Sequence, residues 1–78
     1  MNKILKPTPS IQRGLKEFTE AECLKALELH EVQGNGANTV AYDILPSKKL
    51  NNMTESQITY AGERLINTGR YLKYKFNQ

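Results

Sequence analysis

One cysteine, Cys23, stands in 78 residues, so no intrachain disulfide can hold this fold. A lone thiol in a small chain suits a reducing compartment, and the expected location is cytoplasmic. Long apolar runs are also lacking, so no membrane-spanning helix is expected. Lys3 and Lys6 have no long apolar segment behind them, which does not fit a secretory signal. There is one histidine, His30, and one Cys with one His falls short of the three or four converging ligands of a metal site. The two lie seven residues apart on one expected helix, roughly 10 Å along its axis, too far to hydrogen-bond. Core or core-edge positions are the better reading of both. Gly34-Asn35-Gly36 follows a helix and lacks the Lys-Ser/Thr partner of a phosphate loop, so it reads as a turn. No catalytic constellation can be assembled and no cofactor is implied. The chain reads as a non-enzyme.

What is present is a small domain with uneven charge. A chain of this length buries only about 60% of its unfolded surface, so its core is thin. The net charge is +3. Residues 1–16 carry four cations and no acid, whereas residues 17–33 carry five glutamates against Lys25. Residues 34–53 contribute +1 and residues 54–78 contribute +2. A polyanion is therefore expected to meet the two ends of the chain while the acidic segment faces away.

The first sixteen residues read as a basic extended arm, because Pro7 and Pro9 bias their predecessors away from helix. Residues 17–78 then form the single folded domain. Thr19-Glu20-Ala21-Glu22 is a capping box, with Phe18 and Cys23 placed as its hydrophobic staple. The helix it opens is expected to end near Gln33. Cys23, Leu24, Ala26, Leu27 and His30 fall on one side of it, and Lys25, Glu28 and Leu29 lie mostly opposite. Residues 38–45 fit either a helix capped by Asn38 and ended by Pro46, or a short strand followed by a helix from Pro46. A helix is expected somewhere within 38–51.

The stretch from Met53 to Phe76 is the most informative. Thr54-Glu55-Ser56-Gln57 is a second capping box, stapled by Met53 and Ile58. Ile58, Ala61, Gly62, Leu65 and Ile66 form a buried stripe in which Gly62 permits close helix approach. Ser56, Thr59, Tyr60, Glu63 and Asn67 face outward. Gly69 is placed to end the helix in the left-handed conformation. Beyond it Leu72, Tyr74 and Phe76 alternate with Tyr71, Lys73 and Lys75, the pattern of a half-buried cationic strand.

Thr54 to Ile58, followed by Arg64-Leu65-Ile66-Asn67-Thr68-Gly69-Arg70-Tyr71-Leu72, resembles the winged helix-turn-helix family of DNA-binding domains. The likeness covers residues 19–76 loosely and 53–73 in motif detail. It implies a mainly α fold with a small β element: three helices, the last entering the major groove, and a wing truncated by the chain's end at Gln78. Carried over position by position, Ser56, Gln57, Thr59 and Tyr60 would reach bases, with Arg64 flanking them, and Arg70, Lys73 and Lys75 would hold phosphates. Glu63, near the centre of that face, departs from the pattern because a carboxylate there repels phosphate. The expected function is a small double-stranded-DNA-binding regulator of phage or mobile-element type, arranged as a two-fold dimer on paired half-sites. The alternative is a protein-interaction module, an inhibitor or adaptor of a host protein. The acidic first helix, Glu63 and the outward tyrosines Tyr60 and Tyr71 motivate it.

Overall fold

The structure, a computed structural model, describes residues 7–74. Five helices follow one another: α1 Pro9–Glu17, α2 Glu20–Glu31, α3 Ala37–Ile44, α4 Ser47–Leu50 and α5 Glu55–Tyr74. Among the described residues there is no strand. The long α5 lies at the centre and packs against α1, α2 and α3, while α2 also touches α3. The mainly helical expectation holds, and the β element does not.

The first correction concerns α1. Pro9 occupies the opening turn, where its missing N–H would have had no partner anyway. Thr8 caps it, its Oγ1 accepting from the Ile11 N–H at 3.2 Å. Residues 9–16 are therefore helix rather than extended arm, and the expected boundary at residue 17 falls on the end of α1. Ile11 and Gly14 are buried. Residues 1–6 of the expected arm lie outside the described residues.

α2 forms as its capping box dictates: Thr19 Oγ1 accepts from the Glu22 N–H at 3.1 Å, and Glu22 Oε1 accepts from the Thr19 N–H at 2.8 Å. Its buried arc is rotated from the expected one. Leu29 is buried and Leu24 is 41% exposed. The reason is tertiary: α3 runs along the Lys25/Leu29 edge, marked by the Lys25–Asp43 ion pair at 3.7 Å. The helix ends with Gly34 at φ 73°. The Gly34 N–H donates to the His30 carbonyl at 3.1 Å, the 5→1 bond of an αL ending, and the Asn35 N–H donates to the Leu29 carbonyl at 3.1 Å.

Both halves of the ambiguous 38–51 segment are helical, α3 capped at Gly36 rather than Asn38 and α4 following Pro46. Residues 38–45 hold no strand because Val40 and Ala41 are buried side by side while Tyr42 is half exposed, which is helical spacing.

The largest correction concerns α5, which runs through Gly69 to Tyr74. Gly69 is buried and sits against α2; a Cβ there would collide with the Cys23 carbonyl oxygen. The glycine lets two backbones meet and does not end the helix. Leu72 extends the stripe of Leu65 and packs on the core, and the Tyr74 hydroxyl donates to Glu31 Oε1 at 2.9 Å. The expected strand from 70 is helix as far as 74; Lys75 and Phe76 lie outside the described residues. The expected stripe Ile58, Ala61, Gly62, Leu65 and Ile66 is buried throughout. Gly62 lies against the start of α3, where a Cβ would strike the Ala37 carbonyl.

Candidate functional site

Helix 54–68 and a strand from 70 are expected to bring eight residues to DNA, and the seven of them that are described all lie on α5. They are spread over about 26 Å of helix, at 1.5 Å per residue from Ser56 to Lys73. Ser56, Thr59 and Tyr60 line a shallow depression together with Glu55 and Glu63. Two carboxylates border that depression and no cation does. Gln57 is engaged in the cap: its Oε1 accepts from the Thr54 N–H at 2.8 Å, while the Thr54 Oγ1 accepts from the Gln57 N–H at 3.2 Å. Arg70 Nη1 donates to Asn67 Oδ1 at 3.3 Å and borders a polar hollow with His30 and Glu63. Lys73 lies 5.3 Å from the Tyr74 ring centroid, beside Leu24 and Val32. Lys75 is outside the described residues.

Arg64 is held differently. Its Nη1 donates to Glu17 Oε1 at 3.2 Å, tying α5 to the end of α1. Its Nε–H is buried with no hydrogen-bond partner among the described residues. Arg64 and Gln57 both line a cleft of about 370 Å³ between the end of α1, α4 and the first half of α5. Phe18, Met53, Tyr60 and Ala61 supply its apolar surface, and Glu17, Lys49 and Asn52 its remaining polar groups. Tyr60 is 64% exposed, and Lys49 Nζ stands 5.4 Å from the Phe18 ring centroid. The volume falls within the range of ligand pockets.

Sequence reasoning placed Phe18 and Met53 as staples of two separate helix starts and did not connect them. Each does precede its helix as a staple residue should. The signal that joins them is that both staples belong to helices which meet. That is a fact of tertiary packing, invisible in a linear pattern.

Cys23 is fully buried, and its thiol is pushed up to about 11 by burial first and then by Glu22 and Glu20. Such a thiol is a poor nucleophile. His30 is half-buried, and its Nδ1 donates to the Asn35 carbonyl at 2.9 Å, bracing the turn after α2. No cluster of three or more His, Cys, Asp or Glu side chains suited to a metal occurs among the described residues. No described helix is long and apolar enough to cross a membrane.

No family model, no curated protein and no solved structure matches this chain.

Proposed function

We propose that this chain is a non-catalytic protein-interaction module that presents the Tyr60 cleft to a protein partner. The observation that carries this reading is charge together with shape. Of the eleven cations, Lys3, Lys6 and Lys75 lie outside residues 7–74; the remaining eight equal the eight carboxylates, all of which lie inside. This stretch is neutral. It therefore offers a polyanion little long-range attraction, while the cleft offers an exposed tyrosine together with apolar side chains, the composition favoured at protein interfaces. An affinity-tagged full chain, nuclease-treated and recovered from its host, should retain a stoichiometric protein partner, and Tyr60→Ala should lose it. Recovery that requires nucleic acid, or a partner indifferent to Tyr60→Ala, would remove the reading.

A second reading, a DNA-binding regulator of phage or mobile-element type, draws support from Lys48 and Lys49 on α4. They lie next in sequence to the α5 start, where Ser56, Gln57 and Tyr60 are exposed. In that reading the terminal lysines add phosphate contacts, and a two-fold dimer spans paired half-sites.

A further inference from the structure

We infer that the cleft between α1, α4 and the first half of α5 receives a partner segment in which a carboxylate adjoins a bulky apolar side chain. This rests on the interaction-module reading and names the chemistry of its partner. Lys49 and Arg64 outweigh Glu17 in the cleft, so the site carries one net positive charge. A guanidinium has five N–H donors, and Arg64 uses Nη1 on a single oxygen of Glu17 while its Nε–H stays buried and unpaired. A carboxylate binds such a fork through two parallel hydrogen bonds. Glu17 thus holds the arginine through one contact; the Nε–H is closed to solvent, so the donors left for a second acid are the remaining N–H groups of Nη1 and Nη2. Lys49, poised over the Phe18 ring, has no acidic partner among the described residues.

Beside these cations the surface is apolar. Met53 and Ala61 line the cleft together with the exposed Tyr60, room for an aliphatic or aromatic side chain. At the rim, Asn52 donates its amide N–H to the Lys48 carbonyl at 3.3 Å, leaving its oxygen as an acceptor. Gln57 gives its oxygen to the Thr54 N–H, leaving its amide group as a donor. One donor and one acceptor at the edge of an apolar cleft suit the backbone of an extended peptide. A phosphodiester chain fits less well, because Glu17 stands in the cleft and Glu55 and Glu63 border the next depression.

The test is titration of the ¹⁵N-labelled full chain with the peptide acetyl-SDDLFGSS, against acetyl-SKKLFGSS and a 20-base-pair duplex. The acidic peptide should move the Arg64 Nε–H resonance and the Gln57 and Ala61 amides. Lys49→Gln should weaken it about threefold, as a partly exposed ion contact does. Glu17→Gln should strengthen it by a similar factor, since it removes the competing acid. Both substitutions are at exposed positions and leave the core intact. An unmoved Arg64 resonance at 1 mM peptide, or equal binding of the lysine peptide, overturns the inference. Shifts clustered instead around Tyr42 or Val32 overturn the cleft assignment and leave the interaction-module reading standing. If the duplex alone moves the cleft resonances, both fall.

Discussion

Gly69 shows how one residue type serves two opposed purposes. In a C′ position glycine relieves a left-handed backbone, and Gly34 at φ 73° does this, with open space around its missing side chain. Gly69 instead occupies ordinary helix against the Cys23 carbonyl. Gly69→Ala should therefore destabilise by about 1–3 kcal/mol through overpacking, outweighing a gain of about 1 kcal/mol in helix propensity. Gly34→Ala should cost about 1 kcal/mol from backbone strain alone. Urea midpoints at constant m-value compare the two. Cys23 gives a pH prediction at the same scale. Burial pushes its folded thiol up to about 11 from an ordinary 9.0, so the unfolded chain loses its proton first. Stability is full below about pH 9 and falls as pH rises towards 11, by on the order of 2–3 kcal/mol. The fall from pH 8 to 10.5 should be smaller in Cys23→Ala than in the parent, measured by urea unfolding at each pH.

At the scale of elements, helix starts were legible and the end of α5 was not. Both capping boxes, at Thr19 and Thr54, form as their residues dictate, because caps are local and depend on side chains three positions apart. Thr54→Ala should cost about 1 kcal/mol and increase amide exchange in the first turn of α5, with little effect on α2. α1 departs from the expected arm because Thr8-Pro9 acts as a helix start: of two prolines in five residues, Pro9 fits the first turn and does not break it. The end of α5 was misplaced because Leu72 and Tyr74 satisfy a period of two. Leu65 and Leu72 also satisfy a helical repeat, and only packing on α2 chooses between them.

For the whole molecule, the charge distribution separates the functional readings. With residues 7–74 neutral, duplex DNA affinity should depend on the chain ends. Fluorescence anisotropy at 50 mM salt should show no binding by residues 7–74. Any binding by the full chain should fall away by 200 mM, with a log–log slope no steeper than about −3 for three lysines. A steeper slope, or binding retained by residues 7–74, would restore the DNA-reading surface on α5. Sedimentation of the full chain with and without duplex would show whether two copies share a site, as the DNA reading requires.

Residue order alone determined where α2 and α5 begin, which stripe of α5 is buried and that the chain is mainly helical. Each of these rests on interactions within a few positions or on a repeating period. Tertiary structure decided that Gly69 joins two helices instead of ending one and that Arg64 reaches across to Glu17. It also brought Phe18 and Met53, 35 positions apart in the chain, to one cleft. Those outcomes depend on which surfaces meet across α1, α4 and α5, and no local pattern encodes the partner of a face before it is packed.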